Sequence, residues 1–369
     1  MTKKIIFTTL RNNKGATGGP GGVLYLQMTT LGNEINGIPC EYHFNKLHMR
    51  LGRLRSPLNK IVFRLMFAKE QDAYFFTHDI EMAALLADMN KRYSLIFHQQ
   101  GPSVLEARNL GVKLSENRIK YLNDTERKAF VNANTLHFPS KGAAEMYFNS
   151  TYANCKKEEV NLVDPLYNII PEVKPEKPDD FELVEDKDVI TMFSLGTLTK
   201  AKGQDKTVGF IKEYVKFAPK PVRYVMVGRG PLREQLLNEL EQTKKVVPTF
   251  TYYYYEALNH DAIMYLHMIS DVYIMLHRIS IFDFATLEAM SQHSMVVLSK
   301  VGGNLDFNMD NNVIFAEDAE KDMTLLTNAN MKEMKEKNYK VFKAYFSKDA
   351  FVRQYERFFG EVLKDVKGG

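Results

Sequence analysis

Residues 271–307 read DVYIMLHRISIFDFATLEAMSQHSMVVLSKVGGNLDF. An apolar run, a polar loop, a short helical pattern, a second apolar run and a glycine turn follow one another without a break. Short buried runs alternating with helical patterns belong to an α/β protein with parallel strands. One carboxylate, Glu288, is expected near the front of the short helix. Aligned peptide dipoles there favour an anionic or hydroxyl-bearing ligand.

The same alternation runs through the whole chain. Strands are expected at residues 4–10, 38–44, 72–77, 94–97 and 135–138, then at 222–227, 250–255 and 271–275. Helices are expected at 23–35, 80–89, 117–132, 204–217 and 262–268, with an amphipathic helix from 347 to about 366. Between residues 164 and 188 the character changes, because Pro165, Pro171, Pro175 and Pro178 fall close together among charged residues. A proline-rich polar segment is expected to act as a semi-rigid connector and not as a core element. The domains are therefore drawn as residues 1–170, a linker at 171–187, a second α/β unit at 188–345 and a terminal helix at 346–369.

A chain of 369 residues suits two cores better than one. Its 45% hydrophobic and 25% charged content is that of a globular protein, and a net charge of +4 gives no reason to expect a nucleic-acid partner. Cys40 and Cys155 share no CxxC spacing, which fits a reducing cytoplasm better than a disulfide scaffold. The apolar run after the N-terminal lysines is too short for a signal peptide. No apolar stretch approaches the roughly 20 residues that a membrane-spanning helix needs.

Several strand ends carry residues suited to ligands. Residues 15–22, GATGGPGG, lie between a strand and a helix, where glycines let backbone amides approach a phosphate or sugar. Their spacing fits neither a P-loop nor a dinucleotide fingerprint, which sets a nicotinamide dehydrogenase aside; a plain surface loop is the competing reading. Residues 196–203, GTLTKAKG, converge on Lys202, which is either a diphosphate-neutralising cation or a solvated turn lysine. Gly228, in VGRGP, marks either a nucleotide-packing strand end or an ordinary βα turn. His98 follows a buried strand, where open α/β sheets bind ligands, and His78 ends the strand before it. Either histidine reads equally as a loop or structural residue.

The order of these features resembles that of the family-4 (group 1) retaining glycosyltransferases. The glycine loop, His98, Tyr167-Asn168, the linker, the Lys-Gly pair, the Gly-x-Gly-Pro turn, the Leu-Glu-Ala-Met helix, the Val-Gly-Gly turn and a terminal helix with Tyr355 follow the family's sequence. The resemblance covers nearly the whole chain, and LEAM…VVLSKVGGNLDF is its most specific part. It implies a GT-B architecture: two Rossmann-like domains facing a central cleft, with the C-terminal helix crossing back to the first. It also implies retaining, metal-independent transfer of a sugar from a nucleotide sugar, with no cofactor beyond that co-substrate. Glu288 would bind the ribose, Lys202 the diphosphate, and His98 would lie at the reacting sugar. Gly21 and Gly22 would cap the diphosphate, and the loop holding Phe282, Asp283 and Phe284 would contact sugar and phosphates. Gly196 and Gly228 complete the expected donor site.

This sequence departs from the family twice. A second glutamate is expected eight positions before Glu288, where Ser280 stands, and an arginine is expected after Gly196, where Thr197 stands. Asp283 and Arg278 are the candidates to replace the missing carboxylate and cation. The same departures support a rival reading: a non-catalytic homologue that binds glycan or a partner subunit.

Residues 44–69 carry Lys46, Arg50, Arg53, Arg55, Lys60, Arg64 and Lys69 and no acid. Ser56-Pro57 suits a helix start. Leu58, Ile61, Val62 and Leu65 then form an apolar face flanked by Lys60 and Arg64. Such a helix suits an anionic membrane surface or a lipid-linked acceptor; an ordinary solvated helix is the alternative. The expectation is an enzyme at the cytoplasmic face of the cell membrane, using UDP-hexose to extend a surface polysaccharide such as capsule.

Overall fold

A computed structural model describes residues 2–13, 15, 19–45, 55–109, 111–179, 181–321, 323–326 and 328–364. In chain order its elements begin with β1 (Lys4–Thr8), α1 (Gly19–Leu31), β2 (Glu34–Ile35), β3 (Ile38–His43), α2 (Arg55–Phe67), β4 (Ala73–Thr77) and α3 (Ile80–Asp88). β5 (Tyr93–Ile96), α4 (Ser103–Asn109), α5 (Glu116–Val131), β6 (Thr135–His137) and α6 (Lys141–Phe148) follow. Then come β7 (Ile190–Leu195), α7 (Gln204–Tyr214), β8 (Val222–Val227), α8 (Arg233–Val246), β9 (Phe250–Tyr255) and α9 (His260–Ile269). The last are β10 (Val272–Met275), α10 (Phe284–Ser291), β11 (Met295–Leu298), β12 (Val313–Phe315), α11 (Ala316–Ala319), α12 (Asn328–Val341) and α13 (Lys348–Val362).

The chain divides into two compact units, one of Met1–Ile169 with Lys348–Gly369 and one of Ile170–Ser347. Among the described residues each unit is built on a six-stranded sheet. The first runs β2-β3-β1-β4-β5-β6, parallel except for the β2–β3 pair. The second runs β12-β11-β10-β7-β8-β9 and is parallel throughout. β4, β10 and β11 are buried at every position, because helices cover both faces of a parallel sheet. Short polar side chains start the helices. Asp79, Ser115, Ser140, Asn259 and Asp283 each accept a backbone N–H from the first turn of α3, α5, α6, α9 and α10.

Unit 1 closes around aromatic rings from distant parts of the chain. Phe7 of β1, Phe76 of β4 and Phe359 of α13 lie with ring centroids 5.3–5.8 Å apart. Tyr355 and Phe358 of α13 also touch Phe76. The terminal helix expected from sequence thus completes the core of the first unit. Cys40 and Cys155 are buried free thiols.

Two sequence expectations change. The helix placed at 23–35 starts and ends earlier, and Glu34 and Ile35 instead pair antiparallel with β3. Asn36 and Gly37, both at positive φ, turn the chain between them. The connector at 171–187 contains no helix or strand among its described residues, yet part of it packs. Phe181 and Leu183 are buried, and the Phe181 ring lies 5.8 Å from Tyr255 and 5.9 Å from Tyr265. Two apolar side chains within a polar stretch are enough to fasten it to β9 and α9.

Candidate active site

Open parallel sheets bind ligands beyond the strand ends where the strand order reverses. In unit 2 that point lies between β10 and β7. The loops leaving these strands are joined through backbone hydrogen bonds: Arg278 N–H and Ile279 N–H donate to the Ala201 carbonyl, at 3.0 and 3.3 Å. Gly203 permits the contact. It sits at φ 69°, and a β-carbon there would strike the Leu276 carbonyl. Gly228 and Gly303 allow similar approaches, to Gly196 and to Ile281.

Lys202 projects from this junction. Its Nζ stands 3.4 Å from Asp283 Oδ1 and 3.4 Å from His277 Nε2. Asp283 also caps α10 through Thr286 and accepts a hydrogen bond from Tyr273. Burial acts to raise the Asp283 pKa, but the nearby Lys202 ammonium and the hydrogen bonds from Thr286 and Lys202 oppose it, and the carboxyl is held below its ordinary value. Burial pulls His277 down to about 4, so its ring is neutral at physiological pH. The site therefore holds one cation, one anion and a neutral imidazole.

Glu288 is not at the front of its helix. It is the fifth residue of the eight-residue α10, and Asp283 occupies the N-terminal position. The Glu288 carboxylate lies 3.6 Å from His267 Nε2 and 4.0 Å from His260 Nδ1. His267 is fully buried, and neither of its ring nitrogens makes a hydrogen bond among the described residues. Ser280, where the family's second glutamate is expected, is buried, and its hydroxyl has no hydrogen-bond partner among them. Phe282 stacks on Phe307 at 4.6 Å and is buried, so its ring belongs to the core. Phe284 opens α10. Arg278 forms a two-pronged ion pair with Asp205, at 2.6 and 2.7 Å, and also binds the Lys200 carbonyl. Its guanidinium is thus committed to partners within unit 2, and Thr197 is exposed. Gly196 follows β7 and Gly228 follows β8.

In unit 1 the strand order reverses between β1 and β4. Asp79, just past β4, accepts from Thr9 Oγ1 at 2.6 Å and from Leu10 N–H at 2.7 Å, which anchors the loop after β1. Gly21 lies in the first turn of α1, where a β-carbon would come 2.5 Å from the Asn12 carbonyl. Gly22 follows it in the same turn. His98 follows β5, and its Nε2 lies 2.8 Å from Nδ1 of His78. Burial pulls His98 down to about 4. Arg50 and Arg53 lie outside the described residues, as does the side chain of Arg55. Lys60 and Arg64 pair with Glu81 and Asp88 of α3. A cavity of about 990 Å³ lies elsewhere in unit 1, lined by His137, Lys141, Asp164 and Arg357 among others, and none of the expected donor-site residues line it.

Residues 175–343 match the family model described as glycosyl transferases group 1. The matched residues all lie in unit 2. The chain also has the GT-B fold. Sucrose-phosphate synthase from Thermosynechococcus elongatus superposes with a TM-score of 0.67 at 14% identity, over 98% of this chain and 100% of that one. Anabaena HepE in complex with UDP and glucose superposes with a TM-score of 0.59 at 15% identity, over 97% and 100%. Trehalose-6-phosphate synthase OtsA gives 0.60 at 12% identity, over 99% of each chain. No curated protein sequence matches.

In unit 2 the sequence singles out Lys202, Asp283 and Glu288, but not His277 and His267, which lie beside them. His277 stands two residues past β10, at the reversal point, and a single histidine in a polar loop gives no local signal of that place. His267 lies on the neighbouring helix and carries no local signal. In unit 1, His78 and His98 were each weighed alone. Their position at the ends of adjacent parallel strands, paired Phe75 to Tyr93 and Thr77 to Leu95, is what brings them together.

Proposed function

We propose that the chain is a retaining glycosyltransferase that moves a hexose from UDP-hexose to a glycan acceptor. The observation that carries this reading is the Lys202 ammonium, held at the strand reversal of the group 1 domain beside Asp283 and a neutral His277. Breaking the bond from sugar to diphosphate leaves charge on the phosphate oxygens. A preorganised cation in a recessed site is the strongest means of stabilising it. A diphosphate leaves readily and needs no strong general acid. Its departing oxygen takes the acceptor hydroxyl's proton on the face it vacates, while the acceptor oxygen bonds to the anomeric carbon. Configuration is retained without a protein nucleophile. The Ser280 hydroxyl has no base beside it, which argues against a nucleophilic role. Glu288 binds the ribose hydroxyls, and His98 in unit 1 meets the sugars. No metal ion is required in this reading. UDP release from UDP-hexoses by the purified chain, lost in Lys202→Ala, is the direct test. A wild-type rate in the folded variant would overturn the assignment.

The acceptor we propose is lipid-linked, in surface polysaccharide synthesis at the cytoplasmic face of the membrane. Leu58, Ile61 and Leu65 of α2 are 39%, 54% and 74% exposed, an apolar stripe on a basic stretch of chain. No helix among the described residues is long and apolar enough to cross a membrane. Flotation with anionic liposomes at moderate salt is the expected outcome, reduced in Ile61→Ser/Leu65→Ser. A chain that stays at the bottom of the gradient would remove the membrane claim.

The engagement of Arg278 with Asp205 favours the second reading, a non-catalytic glycan- or partner-binding homologue. Nucleotide-sugar binding without either donor hydrolysis or transfer would select it.

A further inference from the structure

A line of hydrogen bonds runs inward from His98 through the core of unit 1. His98 Nε2 lies 2.8 Å from His78 Nδ1, and His78 Nε2 lies 2.8 Å from Gln27 Oε1. The Gln27 amide nitrogen donates to the Tyr355 hydroxyl at 2.5 Å. The four residues come from the ends of β5 and β4, from α1 and from α13. Gln27, His78 and Tyr355 are at most 3% exposed, so water does not compete for these bonds. The two imidazole rings lie 5.0 Å apart, and the Phe76 ring stands edge-on to His78 at 5.5 Å.

The donors and acceptors fix a direction along the line. With its nitrogen donating to Tyr355, Gln27 turns its carbonyl oxygen to His78, and a carbonyl oxygen only accepts. His78 Nε2 must therefore carry that ring's proton. A neutral imidazole has one N–H, so His78 Nδ1 is an acceptor, and His98 Nε2 must donate to it. Burial holds both rings neutral: it pulls His98 to about 4 and, with help from His98 and His137, holds His78 well below its ordinary value. The only proton on His98 is then committed inward.

We propose that Gln27, His78 and Tyr355 are positioning residues that lock the His98 proton on Nε2 and leave Nδ1 as a bare acceptor for a substrate hydroxyl. This rests on the reading that His98 meets the reacting sugars. It deepens that reading by naming the atom and the polarity of the contact. A fixed lone pair selects a sugar with a hydroxyl at that point over one lacking it, because an unmatched buried acceptor costs binding. The chain also makes α13 a support for the site, through Tyr355.

The test is the ring ¹⁵N spectrum of the full chain labelled at histidine, with His98 assigned by His98→Gln. In the wild type, His98 Nε2 is expected to be protonated and Nδ1 unprotonated. Gln27→Met keeps the volume but removes the carbonyl. It is expected to give a mixture of His98 tautomers and about a tenfold lower kcat for transfer with donor KM unchanged. Gln27→Glu, which still presents an oxygen acceptor to His78, is expected to restore the wild-type tautomer. A wild-type His98 protonated on Nδ1, or a Gln27→Met spectrum identical to the wild type, would overturn the proposal. The tautomer is read without substrate, so the expected spectrum with no transfer from any donor would reject the enzymatic reading and leave the positioning chain standing.

Discussion

Lys202 Nζ stands 3.4 Å from both Asp283 and His277, and that spacing decides what its removal does. Losing one charged contact to a transition state costs roughly tenfold to a hundredfold in rate. Lys202→Ala is expected to lower kcat/KM for transfer by at least about tenfold. On the proposed role of Glu288 at the ribose, Glu288→Ala is expected to fall by a similar factor, with the loss appearing in donor affinity, since a ribose contact is shared by ground and transition states. Steady-state kinetics with varied donor separates the two patterns. Lys202 and His98 were legible because each ends a strand-and-turn signature in the sequence. The groups that tune them were not. Gln27 and Tyr355 are separated by 328 positions, and no local pattern relates them. Glu288 was legible in identity but misplaced on its helix, because Asp283 in the loop before it proves to be the N-cap. That aspartate is both the start of α10 and the partner of Lys202, two contacts that its place in a polar loop does not announce.

Among the elements, β8 and β9 keep the limits expected for them, β8 as a strand buried at every position and β9 as an edge strand whose aromatic run is buried only at Phe250. The start of α1 was harder to place, since its first turn is built from glycines and a proline that read as loop. The glycines at the helix ends look alike in sequence, and only the structure distinguishes their tasks. Gly32 and Gly203 share φ 69°, but a β-carbon at Gly32 meets nothing within 4 Å, whereas one at Gly203 collides with the Leu276 carbonyl. Gly32→Ala isolates the cost of a left-handed conformation, on the order of 1 kcal/mol. Gly203→Ala adds a backbone clash at the junction of the two loops, and its melting temperature is expected to fall clearly further. Donor-induced stabilisation is expected to be lost as well, because Lys202 is the adjacent residue. Equal melting temperatures for the two variants would refute the close approach.

At the scale of the molecule, buried neutral histidines make stability depend on pH. Burial holds His98, His137 and His277 near about 4, against an ordinary value of 6.5. As pH falls below 6.5 the unfolded chain takes up protons that the folded chain refuses, so stability declines until the folded values are reached. Each such group contributes about 1.4 kcal/mol per pH unit across that window. The melting temperature is therefore expected to drop steadily from pH 7 to pH 5. His137→Gln, at a residue only 2% exposed, is expected to flatten that slope. The expected division into two α/β units drew on the proline cluster, while the core residues inside the connector, Phe181 and Leu183, were hidden by the charges around them. The aromatic closure of unit 1 by α13 has a consequence for synthesis. Residues 348–362 leave the ribosome only after every residue of unit 2, so β1 and β4 wait with Phe7 and Phe76 uncovered while the contiguous second unit is free to fold. A chain stopped after Ser347 is expected to keep a protease-resistant second unit and to lose the first. The N-terminal half of the protein is the last to be finished, and a chaperone that shields aromatic surface has its longest task there.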